Sequence, residues 1–505
     1  MGAEPEVLII GAGFSGIGAA SSLDRAGIHD YLIVEQGEGF GGTWYWNRYP
    51  GIAVDIPSFS YQYSYAKRTS WSRVYAPGAE LRDYAEDCAR RFGLEDKARF
   101  GTKITSATFD EASHRWALET DHGDTIHARH VIDATGVLTQ PKLPEIEGVE
   151  SFAGVTVHTA RWDHSQNLAG KRVAVIGTGA SAVQLIPAIA PSVEHLTVFQ
   201  RTPIWCLPKL DGPIPSSVKW LMGRVPGGPS AARLVSQSVV ELIFPLAAHY
   251  HGTLKLATIF EGTARKFVRD QVDDPALQEK LTPRYSLGCK RPGFHNTYLA
   301  TFNRDNVTLE TDPIARITPD GVVTGSGTAH DVDVLIHATG FKVFDPGNFP
   351  KYRVTGRDGG DLERFWAENR YQAYEGVSVP GFPNYFTMFG PYGYNGSSYF
   401  NLVETQARHI VRALSHCKRS GATLIEVTED ANARYFAEML RRRGKQVFWQ
   451  GSCALANSYY FDPHGDVPLR PSPTIETMWR ARRFPLADYR LEHAPVPAAA
   501  EAVAA

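Results

Sequence analysis

The alternation of apolar and polar positions predicts two strand–turn–helix units in different parts of the chain. An apolar run over Val7–Ile10 enters a glycine-rich turn, and an Ala-rich segment with helical spacing follows. A second apolar run, residues 173–176, enters a similar turn and a second helix. Buried strands that alternate with helices predict an α/β fold with two Rossmann-like dinucleotide-binding domains.

Residues 212–285 have mostly helical periodicity, which predicts a helical subdomain that caps the cleft between the two units. Inside this region the most apolar stretch, LVSQSVVELIFPLAAHY, contains Gln237, Glu241 and Pro245. A stretch this short and polar is expected to form a packed helix and not to span a bilayer. Nearer the amino terminus, residues 80–92 form an amphipathic pattern, which predicts that Cys88 lies in the core.

The first glycine-rich turn has the sequence pattern of a dinucleotide-binding site. Gly11 permits the tight turn, Gly13 lets a pyrophosphate approach the backbone, and Gly16 lets the helix pack closely on the strand. Phosphates bind at the helix amino terminus, where free N–H groups and the helix dipole favour anions. The next strand ends at Glu35, which suits the ribose hydroxyls of an adenosine without a 2′-phosphate. The first unit therefore predicts FAD.

The second turn, a Gly-x-Gly-x-x-Ala sequence over 177–182, differs at the position that selects the nucleotide. The strand after it ends in Arg201 and Thr202 where the first unit has an acid. This change removes a repulsive charge and supplies donors for a 2′-phosphate, whereas the structural alternative is a surface arginine. The second unit predicts NADPH, and the candidate binding residues are Gly177, Gly179, Ser181, Gln184, Arg201 and Thr202.

Two short apolar strands end in Ala-Thr-Gly, HVIDATG at 130–136 and DVLIHATGF at 333–341. Each is predicted to return the chain to the FAD domain, once before and once after an inserted NADPH domain. The predicted organisation is an FAD domain over 1–145 and 335–490, an NADPH domain over 146–211 and 286–334, a helical subdomain over 212–285 inserted in the NADPH domain, and a disordered tail over 491–505.

Composition narrows the possible partners. The chain has 505 residues and a formal net charge of −2, which gives no reason to expect nucleic acid or an acidic membrane. The five cysteines are far apart and include no CxxC motif, which fits a reducing compartment and argues against a disulfide framework. No basic region precedes the first strand, so we expect no signal peptide and a cytoplasmic protein. We expect no metal site, no obligate protein partner, and a small-molecule substrate.

Three chemistries are open to a chain that binds FAD and NADPH. A disulfide reductase needs a redox dithiol beside the flavin, and an electron-transfer reductase needs an iron–sulfur or haem partner. The sequence has no CxxC and no cluster motif, which disfavours both. The third chemistry is oxygen activation, in which reduced flavin and O2 form a C4a-(hydro)peroxide that the protein shields from water.

Several motifs resemble those of the class B flavoprotein monooxygenases, and within that class the chain is similar to the Baeyer–Villiger type. The segment SFAGVTVHTARWD, residues 151–163, matches the group's fingerprint at every fixed position. The segment GGTWYWNRYPGIAVD at 41–55 matches a second signature, and CKR at 289–291 with NRDNVTL at 303–309 resembles the group's active-site segment. The resemblance extends to about residue 485.

The resemblance implies that Arg291 is the catalytic arginine and that Asp55 pairs with it. A cation in a dry pocket stabilises a peroxyflavin anion and the oxyanion of a tetrahedral adduct, and arginine stays charged when partly buried. Asp55 would fix this cation and limit the cost of burying it, whereas the alternative is a purely structural salt bridge. Lys290 is implied to join Arg201 and Thr202 on the 2′-phosphate.

The resemblance also implies that Trp44 and Tyr61 pack on the flavin and that Thr43 bonds a flavin phosphate. Each has a structural alternative, since aromatic residues near glycine-rich loops are usually core and a threonine can cap a turn. The segment YGYNGSS at 392–398 differs from the Pro/Ser-rich version of many ketone oxidisers. The substrate range therefore cannot be copied from a relative.

Three further segments acquire roles from the resemblance. A helix near 388–411, with Asn401 or Ser397–Ser398 as candidate N-caps, is expected to aim its positive end at the flavin pyrimidine. Residues 453–461 resemble a mobile loop that closes over nicotinamide and substrate. The fingerprint segment itself is interpreted as a hinge between the domains, in which His158 bonds to the backbone and does not act as a general base.

The implied reaction is the oxygenation of a ketone. NADPH reduces FAD, NADP⁺ stays bound while O2 adds at C4a, and the peroxyflavin attacks the carbonyl. Arg291 stabilises the tetrahedral adduct, carbon migration gives an ester or lactone, and the other oxygen atom leaves as water. The alternative enzyme is an N- or S-oxygenase of amines or thioethers. A nucleotide-binding sensor protein without oxygenation is a further alternative, which Lys290, Arg291 and Asp55 disfavour.

Overall fold

The computed structural model of the chain describes residues 4–449 and 451–494. Its strands are β1 (Val7–Ile10), β2 (Tyr31–Val34), β3 (Ala98–Arg99), β4 (Ile104–Asp110), β5 (Arg115–Thr120), β6 (Thr125–Ala128), β7 (His130–Asp133), β8 (Val155–His158), β9 (Arg172–Ile176), β10 (His195–Phe199), β11 (Cys206–Leu207), β12 (Gly293–Phe294), β13 (Val307–Glu310), β14 (Ile314–Thr318), β15 (Gly321–Thr324), β16 (Ala329–Asp331), β17 (Val334–His337), β18 (Arg353–Thr355), β19 (Tyr385–Thr387), β20 (Leu424–Val427) and β21 (Tyr489–Glu492).

The α-helices alternate with these strands. They are α1 (Phe14–Arg25), α2 (Thr43–Trp46), α3 (Gly78–Arg91), α4 (Ala180–Ile189), α5 (Ser216–Arg224), α6 (Gly228–Glu241), α7 (Ala247–His249), α8 (His251–Leu254), α9 (Leu256–Gln271), α10 (Pro275–Leu281), α11 (Leu362–Asn369), α12 (Tyr399–Arg419), α13 (Glu429–Arg443) and α14 (Thr474–Arg483). A π-helical turn, Leu242–Leu246, joins α6 to α7.

The first sheet has five parallel strands in the order β19–β7–β1–β2–β3. All four residues of β1 and of β7 are buried, because helices that connect parallel strands cover both faces of such a sheet. The sheet combines strands from the start of the chain with β19, which follows more than two hundred residues after β7. This is the predicted first Rossmann-like unit, completed by a late segment of the chain.

The second sheet also has five parallel strands, in the order β13–β10–β9–β17–β8. Its strands all lie between residues 155 and 337, and so between β7 and β19 of the first sheet in the chain. Two boundaries differ. Strand β17 pairs with β9 and β8, so the chain leaves the second sheet after His337 and the predicted return at 335 is too early. Strand β8 places the fingerprint's Val155–His158 at the edge of this sheet and not in a free linker.

Helices α5 to α10 occupy residues 216–281, which confirms the predicted helical region. Together α6, the π-turn and α7 form one helix, Gly228–His249, that is long and apolar enough to cross a membrane by those two criteria alone. Only one face of it is packed: Gln237 Nε2 donates to Ser397 Oγ over 2.7 Å, while Leu234 and Val235 are exposed on the outer face. The expectation of a packed helix is therefore correct for one face, which includes the buried Val240 and Ala247, and wrong for the outer face.

Two smaller predictions concern helix α3 and the carboxyl-terminal end of the first unit. Helix α3 contains the amphipathic pattern at 80–92 except its last residue, and Cys88 is buried on its inner face, as predicted. At the other end, Leu491 and Glu492 belong to β21, which pairs antiparallel with β20. The predicted tail therefore begins too early, because these backbone groups complete a ladder, and residues 495–505 of that tail lie outside the described residues.

Candidate active site

A cavity of about 1770 Å³ lies where the carboxyl ends of the two sheets face each other. Ligands of open α/β sheets bind at this end, because the strand-to-helix turns there expose backbone N–H groups. Every site residue predicted from the sequence lines the cavity except Gly16: Gly11, Gly13, Glu35, Thr43, Trp44, Asp55, Tyr61, Gly177, Gly179, Ser181, Gln184, Arg201, Thr202, Lys290 and Arg291.

The glycines of the first turn are required by close approaches of the backbone. Gly11 has φ +107°, and a Cβ there would lie 2.8 Å from the carbonyl oxygen of Ala134. A Cβ on Gly16 would lie 1.9 Å from the carbonyl oxygen of Gly11, so this glycine serves helix packing and has no need to reach the cavity. Helix α1 begins directly after Gly13, and its free N–H groups suit a pyrophosphate.

Glu35 directly follows β2, beside this turn. One carboxylate oxygen accepts from the Ala12 N–H and the other from the Gly37 N–H, both over 2.8 Å. Burial raises the pKa of Glu35, although these backbone donors act in the opposite direction. A carboxylate has about four acceptor positions, so two remain for the hydroxyls of a ribose in the cavity.

The second turn repeats this geometry with a different charge. Gly177 has φ +113°, and a Cβ there would lie 2.6 Å from the carbonyl oxygen of Ala338. Within the described residues, a Cβ added to Gly179 meets no atom closer than 4 Å, so Gly179 keeps a space open at the start of α4. The space is where a pyrophosphate would approach the backbone, which fits a second dinucleotide.

Lys290 and Arg201 supply positive charge at the edge of this second turn. Burial, and then the charge of Arg201, lowers the pKa of Lys290 to about 8. Thr202 lies beside them, and its Oγ1 accepts from Asn457 Nδ2 over 3.0 Å. Two cations that repel each other in a cavity fit a doubly negative phosphate, because its binding replaces their repulsion by attraction.

Arg291 and Asp55 form an ion pair inside the cavity. Arg291 Nε donates to Asp55 Oδ2 over 2.5 Å, and the two side chains are 17% and 30% exposed. Burial alone would raise the pKa of Asp55, but Arg291 and then Lys209 hold it below its ordinary value. Burial likewise opposes the charge of Arg291, and Asp55 keeps its pKa well above the usual range. The guanidinium also lies 4.6 Å from the ring centroid of Phe244.

Trp44 and Tyr61 contact each other at the cavity wall. Trp44 Nε1 donates to the Tyr61 hydroxyl over 3.2 Å, and the rings meet edge to face with centroids 5.9 Å apart. Thr43 is the first residue of the four-residue helix α2, and its carbonyl oxygen accepts from the Asn47 N–H. All three residues border the space that a flavin would occupy, and their contacts with it stay a prediction.

Gln184 has a role that the sequence does not indicate. It extends from α4 to the second signature, where its Oε1 accepts from the Tyr49 hydroxyl over 3.0 Å and its Nε2 donates to the Ala53 carbonyl over 2.7 Å. The amide therefore links the two Rossmann-like units. Ser181 stands in the first turn of the same helix and borders the cavity.

The prediction for the N-cap of α12 gives the right position, but the side chain there does not cap the helix. The helix begins at Tyr399 and Ser398 occupies the N-cap position, but the Ser398 hydroxyl donates to the Ser60 carbonyl over 2.7 Å instead of capping the helix. The other candidate, Asn401, lies inside the first turn and accepts from Arg233 Nη2 over 3.1 Å. The alternative Ser397 is likewise occupied, because its hydroxyl accepts from Gln237.

The fingerprint segment belongs to the second sheet through β8 and contacts the first unit through the Arg161 side chain. His158 Nδ1 accepts from the Ala160 N–H over 3.0 Å, as predicted, and burial lowers the pKa of His158 to about 4. A Cβ on Gly154 would lie 2.5 Å from the Asp333 carbonyl oxygen, so a residue with a side chain would clash at this position. Arg161, which sequence reasoning missed, donates to the Thr139 carbonyl over 3.0 Å.

Cys289 and Cys453 form a disulfide beside the cavity, with Cα atoms 5.1 Å apart. The cysteine pattern argues against a disulfide framework, and this one bond departs from that expectation. The other three cysteines, Cys88, Cys206 and Cys417, are buried thiols. No local sequence signal pairs the two: Cys289 directly precedes Lys290 and Cys453 opens the segment expected to close over the cavity, but they are 164 positions apart.

Comparisons with known proteins identify the family. A pyridine nucleotide-disulphide oxidoreductase model matches residues 8–209, which contain most of the early part of the first unit and the start of the second. Over 503 residues, the chain is 36% identical to a Baeyer–Villiger monooxygenase of Streptomyces coelicolor, with 99% of this chain and 95% of the relative covered. The chain belongs to the Baeyer–Villiger monooxygenases.

Solved structures agree with this membership. OTEMO in complex with FAD and NADP superimposes with a TM-score of 0.86 at 30% identity, over 96% of this chain and 99% of that chain. An oxidized steroid monooxygenase bound to NADP also superimposes with a TM-score of 0.86 at 30% identity, over 97% of this chain and 99% of that chain. The match to the disulphide oxidoreductase model ends at residue 209, so Cys289 and Cys453 of this Baeyer–Villiger monooxygenase lie outside it.

Proposed function

We propose that the protein converts a ketone to an ester or lactone with NADPH and O2, and that Arg291 stabilises the negative charge of the reaction. FAD and NADPH are the cofactors of this Baeyer–Villiger monooxygenase. The observation that carries the residue assignment is the charged pair of Arg291 and Asp55 in the cavity that both glycine turns border. A preorganised cation in a partly dry site stabilises developing charge without reorganisation.

The residues present fit both cofactors. Gly11, Gly13 and Glu35 would hold FAD at the first turn, and Gly177, Gly179 and Lys290 would hold NADPH at the second. When bound, FAD accepts two electrons from NADPH and activates O2. One oxygen atom enters the ketone and the other leaves as water, so ketone, O2, NADPH and a proton balance ester, water and NADP⁺.

The role of Arg291 follows from its charge and surroundings. The carbonyl oxygen of a ketone becomes an oxyanion when a nucleophile adds to its carbon, and a guanidinium beside it lowers that barrier. Asp55 keeps Arg291 oriented by accepting from Nε, which leaves the terminal nitrogen atoms for the reaction. We therefore propose that Asp55 positions the Arg291 guanidinium, and that the two charges compensate each other.

The substrate is proposed to be an apolar ketone. A pocket of about 250 Å³ adjoins the main cavity and shares Lys290, Arg291 and Tyr460 with it. Most of its remaining wall is apolar, including Leu207 and Phe244. A carbonyl at Arg291 with its hydrocarbon part in this pocket would bury apolar surface and keep the reacting atoms beside the cation.

The test is product analysis with labelled oxygen. Purified holoenzyme receives NADPH, ¹⁸O2 and, in parallel, a cyclic ketone and a thioether. We expect lactone that contains one ¹⁸O atom per molecule. Sulfoxide formation without any lactone would favour the N- or S-oxygenase alternative, and hydrogen peroxide as the sole product with a range of ketones would overturn the proposal. The cytoplasmic location expected from the sequence stays a prediction.

A further inference from the structure

The Cys289–Cys453 disulfide connects two segments that border the same cavity. Cys289 directly precedes Lys290 and Arg291. Cys453 lies in the segment 451–461, called here the closing segment, which begins with a 3₁₀ helix over Gly451–Ala456. The bond joins residues 164 positions apart, so it is a long-range tether between the cationic residues and the closing segment.

We propose that Cys289 and Cys453 are a redox-active pair that hydrogen peroxide oxidises and a dithiol reductant reduces, and that the disulfide fastens the closing segment over the NADPH site. This proposal rests on the proposed function only for the source of peroxide. One hydrogen bond connects the closing segment to the second turn: Asn457 Nδ2 donates to Thr202 Oγ1 over 3.0 Å. Fastening Cys453 four residues earlier in the chain limits how far Asn457 can move from Thr202.

The closing segment is suited to such control because its other attachments are modest. Ser452 Oγ lies 2.9 Å from Ser286 Oγ, a neutral hydrogen bond between side chains. Leu455 is 60% exposed and Tyr459 is 43% exposed, while Ala456 is buried beside Cys453 in a small apolar cluster. Segments with few buried apolar contacts open with little free energy, and a covalent tether changes that opening strongly.

Both oxidation states fit the local structure. The sulfur atoms are shielded from bulk solvent, since Cys289 is 0% and Cys453 is 3% exposed, but Cys453 borders the main cavity. A molecule as small as hydrogen peroxide can reach it there. Cys453 Sγ lies 3.2 Å from the Val447 carbonyl oxygen, which would accept a hydrogen bond from the thiol once the disulfide is reduced.

The oxidation balances without another reactant. The Cys453 thiolate attacks one oxygen of hydrogen peroxide, the O–O bond breaks, and the departing hydroxide takes up the thiol proton to leave as water. The Cys289 thiolate then attacks the resulting sulfenic sulfur, the S–O bond breaks, a second water leaves, and the disulfide forms. Two thiols and one peroxide give one disulfide and two waters. A dithiol reductant reverses the bond by thiol–disulfide exchange.

The pair would respond to unproductive turnover. A flavoprotein monooxygenase that consumes NADPH and O2 without a ketone releases hydrogen peroxide inside its own cavity. Peroxide formed there oxidises the pair and retains NADP⁺ under the closing segment, which slows the next NADPH from binding. Loss of substrate is thereby coupled to slower consumption of NADPH.

The test compares holoenzyme reduced with dithiothreitol and desalted with the same sample oxidised by stoichiometric hydrogen peroxide. Non-reducing peptide mass spectrometry follows the 289–453 link, and stopped-flow displacement measures NADP⁺ dissociation. We expect the link to form with peroxide and NADP⁺ to dissociate at least about fivefold more slowly from the oxidised form. The double variant C289S/C453S should dissociate at the rate of the reduced form and ignore peroxide. The variant Cys206→Ser, a buried thiol outside the pair, should keep the full response.

Two results would overturn the proposal: no 289–453 link after peroxide, or equal NADP⁺ dissociation from both forms of the wild-type chain. The wild-type comparison decides the matter even when the double variant fails to fold. Limited proteolysis adds a readout without ligand, since cleavage near Tyr459 should be faster in the reduced form. None of these measurements requires ketone oxygenation, so a failure of the proposed activity is distinguishable from a failure of the redox pair.

Discussion

Arg291 and Asp55 are 236 residues apart in the sequence, yet Arg291 Nε donates to Asp55 Oδ2 over 2.5 Å. Asp55 closes the second signature of the FAD unit, and Arg291 follows the helical region of the inserted unit. The position of the cation therefore depends on contacts between both units. The Gln184 amide, which bonds Tyr49 and Ala53 a few residues before Asp55, reinforces the same junction.

Replacing Arg291 by alanine should strongly lower the rate of oxygenation while leaving flavin reduction by NADPH intact. The charge on the reacting oxygen would lose its stabilising cation, a change that costs about 10²–10³-fold in related oxyanion sites. Ester formation measured by gas chromatography should fall by that factor, and the anaerobic rate of flavin reduction by NADPH should change little. Ester formation by R291A at the wild-type rate would remove Arg291 from the mechanism.

Two companion variants separate charge from position. Arg291→Lys keeps a cation without the planar donor set, so we expect partial activity between those of wild type and R291A. Asp55→Asn leaves Arg291 partly buried without its counter-charge and should lower both stability and oxygenation. The folded-state pKa of Asp55 is lowered, so its stabilising contribution is complete above the ordinary pKa and is lost as the pH falls below it. Urea unfolding of wild type and D55N should therefore converge in acid.

The preference for NADPH over NADH should weaken above about pH 8. Burial and Arg201 lower the pKa of Lys290 to about 8, and the 2′-phosphate favours the charged lysine. Below this pH the lysine is already charged, whereas above it NADPH binding must take up a proton. The dissociation constant for NADPH should then rise by up to about tenfold per pH unit, and that for NADH should stay flat.

Lys290→Arg is the matched control for this pH dependence. Arginine stays charged across the range, so the variant should keep a preference for NADPH and lose the slope above pH 8. Fluorescence titration of both nucleotides between pH 7 and pH 9.5 measures it. An unchanged slope in K290R would assign the titration to another group.

The parts of the site that obey local rules could be predicted from the sequence, and the parts that depend on assembly could not. The turns at Gly11 and Gly177 follow from strand–turn–helix geometry, which a dozen neighbouring residues determine. The Cys289–Cys453 bond joins residues 164 positions apart, and only the packing of the two units brings them together. Periodicity likewise identifies Val334–His337 as a strand but contains no information on which sheet it joins.

Gly179→Ala should weaken NADPH binding without disturbing the fold. A Cβ at this position meets no atom within 4 Å among the described residues, and its φ of −74° is ordinary for alanine. The added methyl would occupy the space where a pyrophosphate approaches the backbone, so we expect at least about a tenfold weaker NADPH complex, or roughly 1.4 kcal/mol. FAD content and thermal stability should match wild type.

Gly16→Ala provides the opposite case. Its Cβ would lie 1.9 Å from the Gly11 carbonyl oxygen, so this variant should lose stability and FAD together. Absorbance of bound flavin and calorimetry distinguish the two patterns. A destabilised G179A, or a G179A with normal NADPH affinity, would contradict the assignment of the second turn.

His158 should prove to be structural despite its place in the fingerprint. Its Nδ1 accepts from the Ala160 N–H, and burial lowers its pKa to about 4, so it is neutral wherever the enzyme would be assayed near neutral pH. His158→Asn keeps an acceptor for that N–H, whereas His158→Ala loses it at a cost of about 1 kcal/mol. We expect H158N to retain the pH profile of oxygenation and H158A to melt at a lower temperature.

The acid limb of the stability curve supplies an independent check on His158. The unfolded chain binds a proton near the ordinary pKa of 6.5 and the folded chain only near 4, so the neutral histidine's contribution is present above 6.5 and is lost as the pH falls towards 4. H158N should therefore lose less stability than wild type between those two values. A general base would behave differently, since its removal typically costs 10²–10⁴-fold in rate at all pH values where it acts. A rate loss of that size in H158N, with an unchanged melting temperature, would show that His158 takes part in catalysis and is not only structural.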